Sequence, residues 1–108
     1  MKRIEAIVQN EVSREVIFAI REIGADAVTF MESLGQGEGE RPEISGKQAD
    51  FNSTTVIISI VKDSQLDSVV SAIMDVANTG QKKDGKIFIT NVEETYDIST
   101  KQKLAEFN

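Results

Sequence analysis

The stretch "TTVIISIV" (Thr54–Val61) is almost unbroken in apolar and β-branched residues. A run of this kind suits a central strand covered on both faces rather than an edge strand with one wet side. Two amphipathic helices flank it in the sequence. Val12, Val16, Ala19, Ile20 and Ile23 recur at three- and four-residue spacing between Asn10, placed to cap the start, and Gly24, placed to end it. Leu66, Val69, Val70, Ile73, Met74 and Ala77 repeat the pattern, opened by Ser64 with Asp67 three residues on and closed by Gly80. Two helices in a chain of 108 residues cover one face of a sheet. The other face is therefore expected to meet a partner chain.

Three further strands are expected, at Arg3–Val8, Ala27–Ser33 and Lys86–Val92. The order strand-helix-strand-strand-helix-strand predicts one α+β domain over residues 1–108 with the ferredoxin-like βαββαβ arrangement. Strands 2 and 3 are separated by "LGQGEGERPEISGKQADFNS" (Leu34–Ser53), far longer than a hairpin needs and rich in glycine. Loops of this length are usually functional or disordered. Residues 93–108 carry Tyr96 and Ile98 in a polar setting and read as a short extension or a fraying end.

Composition narrows the function. The formal charge of −6 and a pI of about 4.6 argue against nucleic acid as a partner. With no cysteine and no histidine there are no disulfides, thiolate nucleophiles or Ser-His relays, and no zinc sites with nitrogen or sulfur ligands. No tight carboxylate pair stands out either, so a non-enzyme is expected. No signal-peptide core or membrane-spanning run is present, which predicts a cytoplasmic protein without direct membrane insertion.

The connection "TGQKKDGKIF" (Thr79–Phe88) holds two glycines, three lysines and an aspartate between a helix and a strand. It reads either as a turn that cradles phosphate or as an ordinary solvated loop. Glycines let the backbone approach an anion and turn its N–H groups toward it, and a lysine adds a full positive charge.

Taken with "MKRIEAIV", "REIGADAVTFMES" and "LGQG" in the same order, this segment resembles the PII signal-transduction proteins (nitrogen regulatory protein P-II) from Met1 to about Thr100. The resemblance implies a homotrimer whose sheets face inward, with clefts between subunits that bind ATP or ADP. It also implies a long T-loop, about 34–53, that docks on a target such as a membrane transporter or a metabolic enzyme. A B-loop, about 79–86, would wrap the phosphates through Thr79, Gly80, Lys82, Gly85 and Lys86. Near the adenine the matching positions are Ile7, Thr29, Gly35 and Gly37, with Ile58 and Ile60 on the third strand close by. Glu38, Glu40, Arg41, Glu43 and Lys47 would face the protein target. No metal is predicted.

The chain departs from the family pattern in informative places. Glu38 and Gly39 stand where typical members carry an arginine and a glutamine, and Asp97 and Ser99 stand where a pair of arginines normally reaches the outer phosphates from across the subunit boundary. ADP, AMP or a cyclic adenine nucleotide is therefore expected as effector in preference to Mg-ATP with 2-oxoglutarate. The T-loop has no tyrosine to accept a nucleotidyl group. The alternative expectation is a trimeric interaction scaffold, or a divalent-metal binder, with a degenerate nucleotide cleft.

Overall fold

The computed structural model describes residues 1–25, 27–35, 43–44, 47–48 and 52–105. Its framework is a four-stranded antiparallel sheet of β1 (Lys2–Gln9), β2 (Val28–Gly35), β5 (Asn52–Val61) and β6 (Gly85–Asn91), in the order β2-β5-β1-β6. Helices α1 (Ser13–Glu22) and α2 (Leu66–Ala77) are the two crossovers. This is the expected ferredoxin-like arrangement, and "TTVIISIV" lies centrally, paired to β1 on one side and β2 on the other. Two short ribbons complete it, β3 (Glu43–Ile44) with β4 (Lys47–Gln48) and β7 (Thr95–Asp97) with β8 (Gln102–Leu104).

Strand alternation sorts side chains onto two faces. Ile4, Ala6 and Val8 of β1 and Ile57 and Val61 of β5 join Val16 and Ile20 of α1 and Val69 and Ile73 of α2 in one buried cluster. Ile4, Ile20, Ile57 and Ile73 are each at most 1% exposed, and such burial contributes about 1.5–3 kcal/mol per side chain. Among the described residues two polar ones, Thr55 and Ser59, share this layer and both are satisfied: Thr55 Oγ1 donates to Asn10 Oδ1 at 2.7 Å and Ser59 Oγ to the Ala27 carbonyl at 3.1 Å.

The helix ends differ from expectation. Asn10 opens a 3-10 turn, Asn10–Val12, that precedes α1, and its side chain accepts from Thr55 instead of capping a helix. Ser64 sits inside a second 3-10 turn, Asp63–Gln65, whose start is closed by Gln65 Oε1 accepting the Lys62 N–H at 3.1 Å. Gly24 does end α1, with φ +102° and its N–H on the Arg21 carbonyl at 3.0 Å. Helix α2 ends on Asn78 in extended conformation, so Gly80, φ +82°, belongs to the following loop and is not the helix cap.

Residues 95–104 form the β7–β8 hairpin. Ser99 N and Ser99 Oγ donate to Asp97 Oδ1 at 2.8 and 2.6 Å, which fixes its turn.

Candidate functional site

The face of the sheet away from the helices carries Arg3, Glu5 and Ile7 of β1, Thr29 and Met31 of β2, Val56, Ile58 and Ile60 of β5, and Lys86 and Phe88 of β6. Register fixes their rows. Met31, Val56, Ile7 and Lys86 lie side by side across the four strands, and Thr29, Ile58, Glu5 and Phe88 form the next row. Ile60 stands opposite Arg3 one row further. The fold thus brings Ile7, Thr29, Ile58, Ile60 and Lys86 onto one surface. Met31 is 50% exposed and Phe88 49%, and the Arg3 guanidinium pairs with Glu5 at 2.9 Å.

Gly85 joins this surface to the loop before it. Its φ is +111°, and a Cβ built there would sit 1.8 Å from the Ile7 carbonyl oxygen, so no side chain fits while β6 pairs with β1. The structure demands glycine here before any ligand is considered. At the same end of the sheet lie Gly35, which closes β2 opposite Asn52, and Gln9, whose Nε2 donates to the Lys83 carbonyl.

The loop from Thr79 to Gly85 is built around a carboxylate. Asp84 Oδ2 accepts the Thr79 N–H at 2.6 Å and the Gln81 N–H at 3.3 Å, and the Thr79 hydroxyl donates to Asp84 Oδ1. The Thr79 hydroxyl first, and then the backbone donors, hold the Asp84 carboxyl below its usual range. Lys82 and Lys83 stand exposed on the 3-10 turn Lys82–Asp84 that leads into Gly85. Beyond the loop, between α2 and β6, opens a largely apolar cleft of about 450 Å³ lined by Val70, Ile73, Met74, Ile87 and Ile89, with Asp84 and Lys86 at its polar rim.

Comparison with known proteins bears on this arrangement directly. The family model of nitrogen regulatory protein P-II matches residues 1–102. The chain belongs to the P-II family. It is 34% identical over 100 residues to a GlnB-like protein of a nitrogen-fixation region in Methanosarcina barkeri, covering 93% of this chain and 95% of that one. It is 36% identical over 107 residues to the nitrogen regulatory protein P-II of Azospirillum brasilense, with 95% and 96% covered, and 36% over 104 residues to that of Rhizobium meliloti (strain 1021), with 93% of each covered. Membership makes the protein a signal-transduction regulator.

As a P-II protein the chain has a distinctive charge pattern. Asp97 and Ser99, at the positions of the expected arginines, hydrogen-bond within their own hairpin turn and offer no cation; Ser99 holds the Asp97 carboxyl below its usual range. Gly37, Glu38, Glu40 and Arg41 lie outside the described residues, and Glu43 and Lys47 are placed by the backbone of β3 and β4 alone. No group of three or more acidic side chains that could hold a metal occurs among the described residues, and no helix there is long and apolar enough to cross a membrane. Asp84, Gln9 and Asn78 escaped the reading of the sequence. The usable signal was the short spacing from Asn78 and Thr79 to Asp84, which lets side-chain oxygens turn back onto the loop amides.

Proposed function

We propose that the protein is a homotrimeric, non-enzymatic regulator that binds an adenine nucleotide between subunits and reports its state to a protein target through residues 34–53. The observation that carries this reading is the junction of Gly85 and Lys86 with Ile7, where a cation at the start of β6 stands beside an apolar surface that no helix covers. An apolar wall with an adjacent cation suits a purine carrying phosphate. Assembly is supported by the sheet itself. Phe30 and Leu34 are 58% and 68% exposed at the β2 edge, while the β6 edge borders the apolar cleft. The two edges are unlike, and unlike edges suit head-to-tail contacts that close into a ring.

The positive charge is thin. Each charged hydrogen bond to phosphate contributes about 1.5–3 kcal/mol, and Glu38, Asp97 and Ser99 remove several such bonds from the family pattern. ADP, AMP or cyclic AMP is thus favoured over Mg-ATP with 2-oxoglutarate. The ligand acts by binding one arrangement of the 34–53 segment more tightly than others, and the target is a membrane transporter or a metabolic enzyme.

Calorimetric titration of ADP, AMP, cyclic AMP and ATP into the purified assembly tests this. At least one of the first three should bind more tightly than ATP, and Lys86→Ala should weaken it by about tenfold or more. Silence from all four nucleotides with assembly intact would move the protein to the second reading, an interaction scaffold whose nucleotide cleft is degenerate.

A further inference from the structure

Three consecutive backbone N–H groups follow α2, at Thr79, Gly80 and Gln81, and each ends on a side-chain oxygen of the same short segment. Thr79 N and Gln81 N donate to Asp84 at 2.6 and 3.3 Å, and Gly80 N donates to Asn78 Oδ1 at 2.8 Å. Asp84 N in turn donates to the Gln81 carbonyl at 3.1 Å, and Gln9 fastens the far side through Lys83. A cup of successive amides is ordinarily what receives an external anion. In this loop the cup is already filled from within.

We propose that Asp84 is a positioning residue of the nucleotide site, a built-in anion that shapes residues 79–85 through the hydrogen bonds it accepts. A ligand then meets a loop already folded, and the phosphate falls to the segment after Gln81, where Lys82, Lys83 and Lys86 bring positive charge. The ordering cost of the loop is met in the free protein and is not subtracted from binding. This rests on the nucleotide reading only for the ligand arm of the test below.

Shape and charge can be separated. Asn at position 84 keeps a carbonyl oxygen for the Thr79 and Gln81 amides, and its NH₂ can donate to a Thr79 hydroxyl turned to accept; Ala keeps neither. In Asp84→Ala the amide hydrogen exchange of Thr79 and Gln81 should speed by about tenfold or more while Ile57 in the core is unchanged, and Asp84→Asn should stay within about threefold of the parent. Unaltered exchange in Asp84→Ala, or Asp84→Asn behaving like Asp84→Ala, would overturn the proposal. With ADP as probe, Asp84→Ala should bind about tenfold more weakly and Asp84→Asn within about threefold. Tighter binding by both variants would make Asp84 a repelling charge and not a positioning group. If ADP fails to bind the parent protein, the nucleotide reading falls, and the exchange measurement still decides what Asp84 does to the loop.

Discussion

The two faces of the sheet are made by the same strands, yet they end in opposite conditions. Ile57 points into the helix layer, opposite Ala6 and Phe30, and is 1% exposed. Ile58, its neighbour, points the other way, opposite Glu5 and Thr29, onto a surface that includes half-exposed Met31 and Phe88. One face holds the buried core, with Phe30 exposed at its edge. The other sets apolar side chains among Arg3, Glu5 and Lys86 and stays partly open, a mixture that suits a surface covered by a partner.

The largest effect should come at the point that serves both faces. Gly85→Ala forces a Cβ onto the Ile7 carbonyl and should cost more than about 4 kcal/mol in urea unfolding or unpair β6 altogether; parent-like melting would mean that β6 is not seated in this register. Ile57→Ala should cost about 2–5 kcal/mol, the usual range for a buried isoleucine. Ile58→Asp should leave far-ultraviolet circular dichroism intact while light scattering shows the assembly falling to single chains, and a parent-like mass would break the contrast between the faces.

A smaller effect concerns the turn carboxylates. Asp84 and Asp97 are held below the usual carboxylate value, near 3.9. Groups lowered in this way stabilise the folded state above that value, and the contribution fades as pH falls through their lowered values. The Thr79 amide resonance should therefore be flat from pH 8 to about 5 and move only below about pH 4. Ser64→Ala should be the quietest substitution, within about 0.5 kcal/mol by thermal melting, because Gln65 and not Ser64 closes that turn.

The framework was readable because "TTVIISIV" and the two helical repeats express packing, and packing demands periodicity over many residues. The closures were not. Asn10, Ser64 and Gly80 have the right chemistry for helix ends, but an added 3-10 turn or an extended Asn78 moved each out of that role. The β7–β8 hairpin was missed because its strands are three residues long and Ile98 at its turn is 93% exposed, leaving no buried alternation to read. Ile7, Thr29, Ile58, Ile60 and Lys86 were named through the resemblance, and only the strand register puts them on one surface. Asp84 was not named, since an acid among lysines looks like charge balance until its hydrogen-bond donors are placed.

The glycine beneath Ile7 also sets the terms for redesign. A combinatorial library meant to select for a chosen ligand would waste most of its members by randomising the whole connection between α2 and β6. Thr79, Gln81, Asp84 and Gly85 are committed to the architecture, Gln81 and Asp84 as the reciprocal caps of the turn, whereas Lys82 and Lys83 stand exposed on it. Those two sites are where new selectivity can be selected without unmaking the scaffold.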